Sequence, residues 1–318
     1  MTPPRRLSTE DINNIIEAQL DTWETAKRNF FALGDARRRP LSLGALDAAV
    51  QNNPARIRST GAAVDAASIA ARPCFLCRGN RPPEQFTIEW MPGWELLVNP
   101  YPILPVHFTV ASASHTPQSA TPLDMAVMAE AAPDLVFFFN GARAGASAPD
   151  HLHVQAVLAS ELPLMRLAEK THPSSRPGIL LSDKLGLDLP FHFVSAVITP
   201  DATGMRALTR MAGAFGVDAD ADTGGADRGL VNTYFWIGPD SLLRAVAVPR
   251  RRHRPACYDA APDKRLIISP GAIDMAGLLV APRAEDFGRV DAASARAIYS
   301  DVAFADRLPD PVTQWFES

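Results

Sequence analysis

Between Ser8 and about Leu33 the apolar positions Ile12, Ile15, Ile16, Leu20, Trp23 and Ala26 recur at helical spacing. Ser8, with Asp11 three residues on, resembles a capping box, so the segment predicts an amphipathic N-terminal helix. Residues 34–73 are rich in Arg, Ala and Pro with low periodicity, and read as an irregular connection with short helices. Two β-rich runs follow, Phe86 to Trp90 and Trp94 to Val98, joined by Met91-Pro92-Gly93 as a hairpin would be. Further strands are expected at Val106 to Ala111, Leu135 to Asn140 and His153 to Leu158, with a helix from Leu123 to Ala132.

The second half follows a looser version of the same plan. Thr233 to Ile237 and Leu243 to Val248 flank a Gly-Pro-Asp turn, and helices are expected at Ala202 to Phe215, Pro270 to Ala276 and Ala292 to Ala305. The pattern predicts an α+β fold with an antiparallel sheet and a divergent duplication. The expected division is 1–73 for the N-terminal helix and connection, 74–200 for the first half and 201–318 for the second.

A chain of 318 residues, 47% hydrophobic and 21% charged, can bury a large core and is not disordered in composition. Its formal charge of −4 supplies no global basic field, which argues against nucleic acid and requires any anion to be held by a local cluster. No stretch has the length of a membrane span, and the polar start lacks a signal-peptide core, so a cytoplasmic protein without a membrane partner is expected. The oligomeric state is left open.

Chemistry concentrates around His151-Leu152-His153-Val154-Gln155. On a strand, alternation places His151, His153 and Gln155 on one face, converging three polar groups. A neutral, positioned imidazole can attack phosphorus, and an amide can donate to a phosphoryl oxygen as charge develops. The bland alternative is that these side chains satisfy buried polar groups. Against it stands the preceding run from Asn140 through Gly145 and Ser147 to Asp150, whose small residues let backbone N–H groups approach an anion.

Two further clusters bear on function. Cys74 and Cys77 have metal or redox spacing, and tetrahedral zinc needs two more ligands, for which His115 and His151 are candidates; reduced core thiols are the alternative. The run Pro249 to Pro255 is the dense basic stretch, where Arg250 and Arg254 are the leading candidates for gripping phosphate, the alternative being a solvated loop. Phe86, Trp90 and Trp94 could sandwich a base, though hairpin aromatics are more often core. Asp274, in a small-residue turn, is a possible polar contact without a mechanism.

The segment Phe139 to Leu158 resembles the active-site stretch of the histidine-triad superfamily, in the branch of galactose-1-phosphate uridylyltransferases, diadenosine tetraphosphate phosphorylases and GDP-L-galactose phosphorylases. Asn99-Pro100-Tyr101-Pro102 and Pro105-Val106-His107 resemble that superfamily's preceding strand pair, and Cys74 to Asn80 is similar to a zinc-binding segment of the uridylyltransferases. The likeness covers residues 74–158 well and the C-terminal half loosely.

The resemblance implies a HIT-like antiparallel sheet with flanking helices. It implies His153 as the nucleophile that becomes nucleotidylated, Gln155 as the phosphate-orienting amide and Ser147 with its loop as the phosphate cradle. His107 falls near the nucleotide, Asn99 near ribose, and Cys74, Cys77, His115 and His151 around a structural zinc. Hydrolases of the superfamily carry a third histidine where Gln155 stands, which favours transfer to phosphate or a sugar phosphate over transfer to water. The leading expectation is a nucleotidyltransferase or phosphorylase acting on a nucleoside diphosphate sugar or dinucleoside polyphosphate, with a phosphate-type acceptor. A nucleotide-conjugate hydrolase and a non-catalytic nucleotide-binding protein are the alternatives.

Overall fold

Ser8 caps the first helix as its spacing predicts: its Oγ accepts from the Asp11 N–H at 3.1 Å, and the Asp11 carboxylate accepts from the Ser8 N–H at 3.0 Å. The expected single helix is two, α1 (Thr9–Thr22) and α2 (Glu24–Phe31), because Trp23 between them is extended. Its N–H still closes α1 on Gln19, while its buried indole carries the chain into a new direction. The computed structural model describes residues 4–57, 66–119, 121–215 and 230–317.

The stretch read as irregular connection contains a hairpin, β1 (Arg37–Leu43) and β2 (Leu46–Asn52). Leu43 pairs with Leu46, so the turn is Gly44-Ala45, and Gly44 takes φ +72°. A Cβ there would lie 2.1 Å from the Asp188 carbonyl oxygen, which leaves glycine as the residue that fits. Leu41, Leu43, Leu46, Ala48 and Val50 turn inward. Residues 58–65 of that stretch lie outside the described residues, and a short helix, α3 (Ala66–Ala70), follows.

Among the described residues nine strands form the main sheet: β3 (Ile88–Met91), β4 (Trp94–Val98), β5 (His107–Ser112), β6 (Leu135–Asn140), β7 (His153–Leu158), β8 (Gly178–Leu181), β9 (Val194–Ile198), β10 (Val231–Ile237) and β11 (Leu243–Pro249). Their order is β3-β4-β5-β7-β6-β10-β11-β9-β8, with every neighbouring pair antiparallel. One path is traced twice. In the first arm β4 and β5 lead through α4 (Pro122–Ala131) to β6 and β7, giving β4-β5-β7-β6. After α5 (Pro163–Thr171), β8 and β9 lead through α6 (Ala202–Phe215) to β10 and β11, giving β8-β9-β11-β10. The arms meet where β6 pairs with β10.

Strand alternation splits the core between the sheet's two faces. Phe137, Phe139, Val154 and Ala156 pack with residues of α1, α4 and α6. Val136, Phe138 and Val157 face a second layer made by α5, by the sheet β1-β2-β12 with β12 (Leu278–Ala281) parallel to β2, and by the C-terminal helices α7 (Ala272–Met275), α8 (Ala284–Arg289) and α9 (Ala292–Val302). A last helix, α10 (Asp310–Glu317), follows. Among the described residues no helix is long and apolar enough to cross a membrane.

Candidate active site

β5 and β7 run side by side with Thr109 opposite Gln155 and Ala111 opposite His153. Phe108, Val110, Val154 and Ala156 fill one core, so alternation turns His107, Thr109, His153 and Gln155 to the other face. There His153 and Gln155 line a cleft of about 1030 Å³, room for a nucleotide with a second group attached.

The His153 ring is 3% exposed, and its Nδ1 lies 2.8 Å from the His151 carbonyl oxygen. A carbonyl only accepts, so Nδ1 carries the proton and Nε2 keeps the lone pair. Burial pushes the ring's pKa down to about 4, so it is neutral at neutral pH. The main chain is clamped as well: Gln118 Oε1 accepts from the His153 N–H at 2.8 Å, and Gln118 Nε2 donates to the His153 and Asn140 carbonyls, each at 2.9 Å. Gln118, in a loop without regular pattern, has no sequence signal.

His107 is a correction. It was expected near the nucleotide, yet both its nitrogens are engaged by protein: Nδ1 accepts from the Ile103 N–H at 3.1 Å, which puts the proton on Nε2, 2.8 Å from Gln155 Oε1. Burial, with Arg56 nearby, holds its pKa down at about 3. A neutral ring that donates to Oε1 turns the Gln155 amide so that its NH₂ end is the one left for a ligand. His107 orients Gln155 and does not line the cleft.

The four expected metal ligands come together. Cys74, Cys77, His115 and His151 place their ligand atoms within 4.8 Å of one another. His151 Nδ1 is 3.3 and 3.6 Å from the Cys74 and Cys77 sulfurs, and His115 Nδ1 is 3.2 Å from Cys77. Those separations are near the ~3.5 Å edge of a tetrahedron built on bonds of about 2.3 Å to sulfur and 2.0 Å to nitrogen. His151 Nε2 donates to the Ser112 carbonyl at 2.9 Å, the hydrogen bond that aims a ligating ring. Because β7 begins at His153, His151 is not the strand neighbour that alternation suggested.

Asn99 lines the cleft, but as a turn residue: Oδ1 accepts from the Tyr101 N–H at 3.0 Å and Nδ2 donates to Thr109 Oγ1 at 3.1 Å. Ser147 lines both the cleft and a smaller polar cavity beside it, which also holds Asn140, Gly145 and Arg254. Gly145 has φ +100°, and a Cβ on it would stand 2.6 Å from Gly271 Cα, so this loop packs too closely for a side chain. Asn140 Oδ1 accepts from the Ala272 N–H at 2.7 Å, joining that loop to α7.

Arg250 is a second correction. It is 2% exposed, and its guanidinium is consumed by Asn232 Oδ1 at 2.6 Å and by the carbonyls of Val302, Pro270, Arg252 and His253. It therefore braces the loop after β11 and lines neither cavity. Arg250→Ala strips five acceptors of a charged donor and is expected to lower stability by about 3–5 kcal/mol. Urea unfolding measures this, and a midpoint unchanged from wild type would contradict it.

For Trp90 and Trp94 the core alternative is the one found. The two tryptophans are buried on the opposite core face, Trp90 stacked on Phe137 at 5.6 Å, and neither they nor Phe86 line the cleft. The cleft's aromatics are Trp23, Phe75 and Tyr101, with Phe75 46% exposed and Arg72 4.9 Å over its ring. Arg72 also pairs with Asp150 at 3.1 Å. Trp23, Arg56 and Arg72 lie in segments read only as helix or connection, so their convergence here was not foreseen.

Asp274 lines the polar cavity, its two oxygens accepting from the Gly271 and Val280 N–H groups at 2.9 and 2.7 Å. Burial nevertheless raises its pKa to about 6 from the usual 3.8. The folded state thus binds this proton more tightly than the unfolded chain, a contribution fully present below pH 3.8 and lost as pH rises through 6. It amounts to about 3 kcal/mol. Unfolding midpoints from pH 4.5 to 7.5 should fall more steeply for wild type than for Asp274→Asn; parallel curves would refute the assignment.

The family described as a domain of unknown function (DUF4922) matches residues 15–158. No curated protein matches the sequence. Among solved structures, a crystal structure of yeast Ap4A phosphorylase Apa2 is similar at TM-score 0.53 and 14% identity, covering 89% of this chain and 97% of that one. The yeast enzyme in complex with Ap4A gives 0.55 at 14% identity, with 92% and 98% covered. Its complex with AMP gives 0.57 at 15% identity, with 90% and 97% covered. The α+β fold with its large antiparallel sheet is therefore one this chain shares with the yeast phosphorylase across nearly its whole length.

Proposed function

We propose that this chain is a nucleotidyltransferase of the phosphorylase type, which carries a nucleoside monophosphoryl group on His153 between a nucleotide substrate and a phosphate-type acceptor. The observation that carries the reading is the paired setting of two side chains: the His151 carbonyl holds the His153 proton on Nδ1, and His107 holds the Gln155 amide with NH₂ outward. In the first step Nε2 attacks the α-phosphorus, the N–P bond forms, and the P–O bond to the leaving phosphate breaks. Gln155 donates to the phosphoryl oxygen as charge builds on it. A likeness in fold to an enzyme solved with Ap4A and with AMP supports a dinucleoside polyphosphate as substrate class; a nucleoside diphosphate sugar offers the same α-phosphorus.

The donor set of two thiolates and two imidazoles suits zinc, which we assign to Cys74, Cys77, His115 and His151. Bound there, it supplies a structural anchor. The chain's own residues then transmit that anchoring: His151, held at its ring, presents its carbonyl to His153 Nδ1. We further read the doubled strand path as a divergent duplication, with the first arm carrying the chemistry. On that reading β8 and β9 belong with the second arm, and we set the division between β7 and β8, before residue 178, in place of the expected 200/201.

Turnover tests the reading. Incubated with Ap4A or nucleoside diphosphate sugars, the protein should release a nucleoside diphosphate only when inorganic phosphate is supplied, with ping-pong kinetics. Release of nucleoside monophosphate at full rate without phosphate would make it a hydrolase instead, and binding without turnover a non-catalytic nucleotide protein.

A further inference from the structure

The ladder between β6 and β7 stops short of the nucleophile. It runs from Leu135 opposite Leu158 to Phe138 opposite Gln155, and the same register would bring Asn140 opposite His153. There the Gln118 side chain stands in. Its Nε2 donates to the Asn140 and His153 carbonyls at 2.9 Å each, and its Oε1 accepts from the His153 N–H at 2.8 Å. Two carbonyl partners fix which end of the amide is NH₂, since a carbonyl only accepts. Beyond this point Asn140 stays with β10, opposite Asn232, while His153 follows β5, opposite Ala111. Gln118 is thus a wedge between two strands that part at His153.

The loop that delivers Gln118 is built around the same stretch of chain. Residues 113–117 are exposed, and Gln118 at their end is buried. Its N–H donates to the Pro149 carbonyl at 3.1 Å, the Leu152 N–H to the Thr116 carbonyl at 2.6 Å, and the Ser112 N–H to the Leu152 carbonyl at 2.9 Å. His151 Nε2 closes the set on the Ser112 carbonyl at 2.9 Å. Residues 112–118 therefore grip the approach to β7 at Pro149, His151, Leu152 and His153, and His115 of the four-ligand cluster lies in the same loop. Gln118 lines neither the cleft nor the smaller cavity, so what it acts on is the backbone of His153 rather than a bound nucleotide.

We infer that Gln118 is a positioning residue for the nucleophile: its amide holds the β6 and β7 backbones apart at His153 and so sets the line along which Nε2 meets phosphorus. The inference rests on the transfer reading above. Folding alone does not call for the wedge, because the register lets His153 and Asn140 bond each other directly. Closing that pair would draw the His153 main chain toward β6, and the ring with it. A misplacement of about 1 Å at a reacting group costs about 10²-fold in rate. Removing the amide should therefore slow the chemistry and spare both the fold and the affinity for nucleotide.

The rate of labelling at His153 tests the assignment. Wild type and variants are mixed, without phosphate, with increasing radiolabelled Ap4A or with the nucleoside diphosphate sugar that wild type accepts. Gln118→Met, similar in volume but without the amide, is expected to label about 10²-fold more slowly at saturation, with the half-saturating concentration within about threefold of wild type. A folded Gln118→Met that labels at the wild-type rate, or whose loss is confined to the half-saturating concentration, overturns the inference. If Gln118→Met does not fold, Gln118→Asn decides, since it keeps the amide on a shorter stem: slower labelling at saturation supports the role, and an unchanged saturating rate overturns it. Nitrogen NMR of the His153 ring gives a readout independent of turnover. Wild type should show the Nδ1–H tautomer alone, and Gln118→Met should lose that uniformity. If wild type takes no label, the transfer reading fails and the ring decides this one: a mixed tautomer in Gln118→Met supports the positioning role, and an unchanged one overturns it.

Discussion

Replacing His153 by Ala is expected to lower turnover by about 10⁴-fold or more while leaving the fold intact. The size of the effect follows from the absence of a substitute among the neighbouring rings. His151 spends Nε2 on the Ser112 carbonyl and turns Nδ1 to the cysteines, and His107 spends both nitrogens on Ile103 and Gln155. Water would have to attack phosphorus directly, losing the division of one displacement into two. Gln155→Ala, which removes one donor to the phosphoryl oxygen, should cost less, about 10²–10³-fold. Steady-state rates alongside urea unfolding separate chemistry from folding. Turnover of His153→Ala within tenfold of wild type would remove the nucleophile assignment.

Loss of the metal is the second large effect. We predict one zinc ion per chain, and stripping it with a strong chelator, or making Cys77→Ser, should lower the melting temperature and reduce activity by about 10–100-fold. The activity loss comes through two contacts. His151 loses the anchor at its ring, and its carbonyl no longer fixes the His153 tautomer. Phe75 and Arg72, the latter bridging to Asp150, lose the loop that carries Phe75 into the cleft. Elemental analysis with calorimetry checks both halves of the claim. Metal-free protein, or Cys77→Ser, that melts and turns over as the metal-loaded wild type does would contradict it.

The first arm was legible because its strands announce themselves. Leu135 to Asn140 and His153 to Leu158 form over the residues their apolar runs delimit, and the cysteine spacing together with the histidines foretold a cluster the fold assembles. The hairpin β1-β2 was passed over although Leu41, Leu43, Leu46 and Ala48 alternate around Gly44. The run of three arginines before it masked the pattern, since on the exposed part of a strand polar residues carry no period.

Long-range partners were the harder class. Arg250 and Arg254 look alike in sequence, and what separates them is the third dimension: one is enclosed by Val302, Pro270 and Asn232, the other faces a cavity. Gln118 and Arg56 serve the site from irregular segments, where no spacing marks them. The resemblance puts His107 near the nucleotide, while its tautomer is set by the Ile103 N–H, a partner that no spacing marks. The repeated path of the two arms was visible only as a second hairpin, because the strands that complete it, β8 and β9, are short and separated by a loop.

The central claim is a covalent bond between His153 and phosphorus, and peptide mass spectrometry of trapped intermediate tests it most directly. The protein would be incubated with a dinucleoside polyphosphate or nucleoside diphosphate sugar without phosphate, quenched in base to preserve the phosphoramidate, and digested. The account predicts one nucleoside monophosphoryl group on the peptide containing His153, located on that residue by fragmentation and removed when phosphate is added before the quench. A protein that turns the substrate over with no adduct on any histidine, or with the adduct on His151 or His107, would contradict it.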